Sequence, residues 1–192
     1  MRVGNCTRFG TRVAPLRTIG AMCAMVLSVS AAAVVPVFSA VSMSLEYDVK
    51  AAFLLNFTKF VEWPPSAFAA ADAPLTICIL GDDPFGRAID EIVAGESIGG
   101  HRIAVERIHA DREKACQVVY VARDKTLPEA LTTARSTVLT VGEGDKFLEQ
   151  GGIIGFVIDN RHVRFDINLK AATNAELKLS SKLLSVARSV EK

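Results

Sequence analysis

The sequence predicts an α/β fold of three layers, a largely parallel sheet flanked by helices, with an antiparallel hairpin in its C-terminal half. Three observations carry that expectation. Short runs of β-branched and aliphatic residues alternate with stretches of helical spacing, the order that builds parallel sheets from strand–helix–strand units. Several of those runs are apolar at every position, as strands covered on both faces are. Ile153–Ile158 and His162–Ile167 are separated by Asp159-Asn160, which suits a tight hairpin turn.

The elements follow in chain order. From Ser44 to Trp63 the spacing is helical, and Leu45, Val49, Phe53, Phe57 and Phe60 form the stripe expected to face the core. Trp63-Pro64-Pro65 ends that helix, because proline disfavours helical geometry at the residue before it. Leu75–Leu80 reads as a buried strand, Gly81-Asp82-Asp83-Pro84 as a turn, and Pro84 as an early residue of a helix. That helix carries Phe85, Ala88, Ile89, Ile92 and Val93 on one face and stops at Gly95. Arg102–Ile108 reads as a half-buried strand and Cys116–Val121 as a buried one. Leu127–Ala134 reads as a helix and Thr137–Val141 as a strand that turns at Gly142-Glu-Gly144. Asp145 is a candidate cap for a helical turn through Phe147 and Leu148. After the hairpin, Leu169 to Val190 reads as mostly helical, with Ser180 as an internal cap.

Charge separates the first residues from the rest. Arg2, Arg8, Arg12 and Arg17 precede an uncharged run, Ile19–Val35, and no acidic residue occurs before Glu46. A basic start, an apolar stretch and small residues after Pro36 are the parts of an export signal, expected to be residues 1–39 and to leave a single domain of residues 40–192. The rival is an uncleaved membrane anchor. Without those four arginines, 18 basic residues face 21 acidic ones. A mildly acidic domain is unsuited to nucleic-acid phosphates or anionic lipid. No other stretch is apolar and long enough to span a bilayer, so no stable membrane insertion is expected after cleavage.

Cys6 and Cys23 leave with the signal, and Cys78 and Cys116 remain. In an exported chain two cysteines favour a disulfide; the other possibility is two buried thiols acting as small apolar residues. Motifs of catalysis are missing. Gly81-Asp82-Asp83-Pro84-Phe85-Gly86 has neither dinucleotide-binding glycine spacing nor a phosphate-binding lysine, and its acids would repel phosphate. His101, His109 and His162 are scattered, without ligand spacing for a metal, and Ser180-Ser181-Lys182 is no serine–lysine signature. No cofactor is expected. Asn56 and Asn168 stand out as polar residues in apolar settings, where a buried amide would fix a backbone junction. Trp63 is expected to pack into the core, with exposure as a binding anchor as the alternative.

These positions carry a family pattern. Lys50-Ala-Ala-Phe-Leu-Leu-Asn-Phe-Thr-Lys-Phe-Val-Glu-Trp-Pro64 resembles the opening signature of the YfiR family of periplasmic regulators. The resemblance continues through Ile77-Cys-Ile-Leu-Gly-Asp-Asp-Pro-Phe85 and Val163-Arg-Phe-Asp-Ile-Asn-Leu169. It closes on Leu177-Lys-Leu-Ser-Ser-Lys-Leu-Leu-Ser-Val-Ala187, so that it spans roughly residues 46–190. It implies a non-catalytic periplasmic protein, often a homodimer. Such a protein binds the periplasmic part of an inner-membrane diguanylate cyclase and holds it inactive. Release under redox or envelope stress would raise cyclic di-GMP and promote biofilm formation. Asn56, Trp63, Pro64, Asn168 and Ser180 are the structural or interaction positions it marks. Cys78 and Cys116 resemble one family cysteine pair, and this chain lacks a second pair in its C-terminal half. The competing expectation is a periplasmic small-ligand-binding protein supporting a transport or envelope system, which rests on the turns beyond the strand ends.

Overall fold

The structure is a computed structural model and describes residues 38–109, 116–123, 125–128, 131 and 136–192. Helix α1 (Phe38–Phe60) leads into a two-residue strand β1 (Val61–Glu62) and a single 3-10 turn at Pro65–Ala67. Strand β2 (Leu75–Leu80), helix α2 (Arg87–Val93), strands β3 (Ser97–Ile98), β4 (His101–Ile108) and β5 (Val118–Val121) follow. Then come β6 (Leu139–Glu143), helix α3 (Asp145–Glu149) and the strands β7 (Ile154–Asp159) and β8 (His162–Asn168). The C-terminal part consists of α4 (Leu169–Asn174), β9 (Lys178–Leu179), α5 (Ser181–Val186) and β10 (Ser189–Glu191).

Eight strands form one sheet in the order β10-β8-β7-β6-β5-β2-β4-β3, and β1 pairs with β9 apart from it. The β2–β4, β2–β5, β5–β6, β6–β7 and β8–β10 pairs are parallel, while β8 returns antiparallel to β7 and β3 antiparallel to β4. Apolarity at every position explains the centre. All six residues of β2 and all four of β5 are buried. Ile77, Ile79, Val118 and Tyr120 belong to one core with Leu54, Phe57 and Ile89 of α1 and α2. The alternate residues Cys78, Leu80, Val119 and Val121 belong to a second core with Phe147 and Leu148 of α3. The Cys78–Cys116 disulfide lies in that second core, with Cα atoms 5.9 Å apart.

Two glycines make room for α3. A Cβ on Gly142 would lie 2.4 Å from the Phe147 ring, and one on Gly152 would lie 2.2 Å from it. The ring therefore packs directly against backbone on both sides, a contact any side chain there would forbid.

Several expectations are corrected. Helix α1 ends at Phe60, three residues before Trp63, because Val61 and Glu62 pair with Leu179 and Lys178. Pro84 precedes α2, which starts at Arg87 after Gly86 in a left-handed conformation (φ 54°). Asp83 holds this turn by accepting hydrogen bonds from the Phe85 and Gly86 amides. Gly144, and not Asp145, takes the cap position of α3. The hairpin turn is Asn160-Arg161, one residue later than expected, since Asp159 pairs with His162. Both turn residues have positive φ, 49° and 65°, as the favoured two-residue turn requires. The last segment is not mainly helical: β9 interrupts it, and β10 makes a parallel edge beside β8. The expected signal (residues 1–37 of it), Cys6, Cys23 and most of Leu127–Ala134 lie outside the described residues. Among those described, no helix is long and apolar enough to cross a membrane.

Candidate partner-binding groove

The stripe expected to face the core is only partly the one that does. The inward residues of α1 are Lys50, Ala51, Leu54, Leu55, Phe57 and Thr58, all buried. Leu45 and Val49 are 64% and 38% exposed, and Phe53 and Phe60 are half-buried. Stacked side chains at three- and four-residue spacing thus continue outward from the core as an apolar line that no described residue fully covers.

A groove of about 280 Å³ runs along this line between α1 and α5. Phe53, Asn56 and Phe60 form one wall, Phe165 of β8 the floor, and Lys182, Leu183 and Val186 the other wall. Helix α5 is set there by two local features. Ser180 caps it, its hydroxyl oxygen accepting from the Leu183 amide at 3.2 Å, and the Ser180 amide donates to the Phe60 carbonyl at 2.9 Å. The floor is rigid: Phe165 meets Phe53 and Phe57 edge to face, with ring centroids 5.5 and 5.0 Å apart. A neighbouring cavity of about 440 Å³ shares Phe53, Phe165 and Val186 and extends to His162, Val163 and Arg164. Val186 is 58% exposed and Ile158, beside Val163 across the hairpin, is 50% exposed. Among the described residues, the charged groups lining both cavities are Lys182 and Arg164, with no carboxylate.

The sequence-marked residues fall into two groups. Asn56 is exposed on the groove wall, contrary to the buried amide expected of it, because the helix turns it to the uncovered side between Phe53 and Phe60. Asn168 is half-buried and ties two elements together. Its Oδ1 accepts from the Ala171 amide at 2.8 Å, capping α4, while its Nδ2 donates to the Leu148 carbonyl at 3.4 Å. Trp63 packs against the main core and donates from Nε1 to the Gln117 carbonyl at 3.3 Å. Pro64 accepts the Ala67 amide at 2.9 Å and starts the 3-10 turn. Gln117, which the sequence did not single out, is the buried hub of this corner. Its Oε1 accepts from the Thr76 amide and its Nε2 donates to the Ala67 carbonyl. Trp63 and Pro64 are thus distant in role from the groove, which Asn56 and the Ser180-capped helix share.

A buried charge cluster lies nearer the N-terminal end of α1. Lys50, 1% exposed, pairs with Glu46 and, at 2.9 Å, with Glu143 at the end of β6. Tyr120 and Arg123 also donate to Glu143. Burial alone would push the Glu143 carboxyl up; hydrogen bonds from Tyr120 and Lys50, then from Arg123, hold it below its ordinary value. Burial first, then the Glu143 charge, pushes the Tyr120 hydroxyl far up, so it stays a donor. Nothing here resembles a poised acid–base pair. Among the described residues no group of three His, Cys, Asp or Glu side chains is placed to hold a metal. His101 is stacked on Phe68, ring centroids 3.9 Å apart, with Nδ1 2.6 Å from the Ala73 carbonyl.

Comparison with known proteins adds the following. A family model described as YfiR/HmsC-like matches residues 47–188. No curated protein matches. A crystal structure of a conserved domain protein from Vibrio cholerae O1 biovar El Tor strain N16961 is similar at 12% identity and a TM-score of 0.47. The match covers 76% of this chain and 60% of that one, so the chain spans about three fifths of that protein's length.

Proposed function

The chain belongs to the YfiR/HmsC-like family, and on that premise we propose that it is a non-catalytic regulator in the periplasm. Residues 1–39 direct its export and are removed, and residues 40–192 bind the periplasmic region of an inner-membrane diguanylate cyclase. Binding holds the cyclase inactive and lowers cyclic di-GMP. Repression requires that the domain prefer the inactive conformation of its partner, since equal affinity for both states shifts nothing. A homodimer is the expected working form.

The observation that supports this reading is the groove. An apolar trough with half-exposed phenylalanines along it, which no described residue covers, is the kind of surface that protein partners bury. Lys182 and Arg164 beside it favour a partner segment with an apolar anchor and acidic neighbours. The test is genetic and direct. Deleting the gene should raise cyclic di-GMP, and the wild-type gene supplied in trans should restore it. Val186→Glu, at a mostly exposed position, should leave stability within about 0.5 kcal/mol yet fail to restore repression. Cyclic di-GMP unchanged by the deletion under envelope and redox stress would overturn the proposal.

A further inference from the structure

The cations around Glu143 open onto a separate cavity. It measures about 330 Å³ and lies at the carboxyl end of β6, beside Phe156, Val157 and Ile158 of β7. Among the described residues, Lys50, Arg123 and Arg188 line it against one carboxylate, Glu143. That balance is opposite in sign to the domain, in which acidic residues outnumber basic ones.

We propose that this cleft binds a small oxyanion, a carboxylate or phosphate group of a small molecule, through Arg123. The guanidinium is anchored through Nε alone, which donates to Glu143 Oε2. No described residue takes a hydrogen bond from its two terminal nitrogens, and the side chain is 66% exposed. A guanidinium fixed at Nε presents the planar fork that two oxygens of one anion match. Glu143 does not repel such a ligand as a bare carboxylate would, because Tyr120, Lys50 and Arg123 all donate to it. Lys50 adds a buried positive charge at the base, its Nζ lying 4.4 Å from the Tyr47 ring centroid. Arg188 adds charge from the far wall, with donors committed to Asp166. Gly144 lies at the mouth, and its φ of 85° disfavours any other residue there. This site shares no lining residue with the groove and does not depend on the regulatory reading.

The test titrates inorganic phosphate and, separately, succinate into the exported protein at constant ionic strength, followed by amide NMR. Saturable shifts are expected at Gly144 and Val157, with Asn56 and Val186 unmoved. The tighter of the two probes identifies the group recognised. Arg123→Ala should weaken binding at least tenfold, and Arg123→Lys should fall between, because a point charge replaces the fork. Absence of saturation by either probe up to about 10 mM, shifts centred elsewhere, or equal binding by Arg123→Ala would each overturn the proposal. The wild-type shift map decides the matter even where Arg123→Ala does not fold. Val186→Glu should bind the anion normally, so loss of cyclase repression and loss of anion binding are separable results.

Discussion

Glu143→Gln asks how much of the fold hangs on one carboxylate. The residue ends β6 with its side chain 3% exposed and receives donors from Tyr120, Lys50 and Arg123. Glutamine keeps the size and removes the charge, leaving the Lys50 ammonium buried with Glu46 as its remaining acid. Removing one member of a buried pair costs about 3–5 kcal/mol. Glu46 is about a quarter exposed and still compensates Lys50 in part, so the lower end, about 3 kcal/mol, is expected. For a domain of about 150 residues, each kcal/mol moves the melting temperature by about 2–4 °C, and the variant should melt roughly 6–12 °C lower.

The pH dependence has a definite sign. The folded carboxyl titrates below its ordinary value of 4.5. Its stabilisation is therefore complete above about 4.5 and is lost as pH falls through the lower folded value. Wild type and Glu143→Gln should differ most near neutrality and converge in acid. Urea unfolding of both proteins between pH 3 and 7, read by circular dichroism, measures this. A second variant isolates the pair: adding Lys50→Met to Glu143→Gln should recover much of the loss, because a buried pair exchanged for apolar groups is close to neutral. A difference below about 1 kcal/mol at pH 7, or one that persists undiminished in acid, would refute the account of Glu143 as a buried counter-ion.

The remaining predictions concern packing and the disulfide. Replacing Cys78 and Cys116 together by alanine should cost about 4 kcal/mol, from the chain entropy released by opening a 38-residue loop, measured as a lower urea midpoint. A midpoint unchanged from wild type would show the bridge to be stability-neutral. Gly152→Ala should cost about 1–3 kcal/mol by overpacking, since the new methyl meets the Phe147 ring and, at 2.7 Å, its carbonyl oxygen. Pairing it with Phe147→Leu should relieve part of the ring clash but not the carbonyl contact.

The legible part of the fold is the part fixed by local burial. Strand β2 forms where its apolar run places it and β7 within one residue of it, while β5 and β6 start two residues later than expected and β6 runs on through Gly142 and Glu143, where a turn was expected. The hairpin was legible but its register was one residue off, because Asp159-Asn160 and Asn160-Arg161 are both credible turns until Asp159 is paired with His162. The C-terminal segment misled for a different reason. Two- and three-residue strands have no period of their own, and β9 exists only because Val61, more than a hundred positions earlier, pairs with Leu179. Gln117 left no trace in the sequence pattern: its role comes from Trp63, Ala67 and Thr76 converging on it. The groove was half visible. Periodicity revealed the apolar line of Leu45, Val49, Phe53 and Phe60 but could not say which side of α1 the sheet would cover.

That ambiguity bears on how a partner would approach. Helix α1 carries two apolar sectors, and the sheet can cover only one. Leu54 and Phe57 lie on the covered sector, where the Lys50–Glu143 pair also fixes the rotation of the helix. Val49, Phe53, Asn56 and Phe60 advance by four, three and four residues along the other sector. Helix α5 has only six residues and shelters this sector at its C-terminal end, at Phe60. Exposure accordingly rises toward the N-terminal end, through Phe53 to Val49 and Leu45. On the proposed reading, a partner therefore seats an apolar anchor between Phe53 and Val186 and extends toward Val49. Turning α1 would bury that line and expose Lys50, so Glu143 keeps the binding sector outward as well as stabilising the fold. Glu143→Gln should consequently weaken cyclase repression along with stability, whereas Val186→Glu should weaken repression alone. Repression lost equally in both variants at unchanged stability would mean that the rotation of α1 is held by something other than this ion pair.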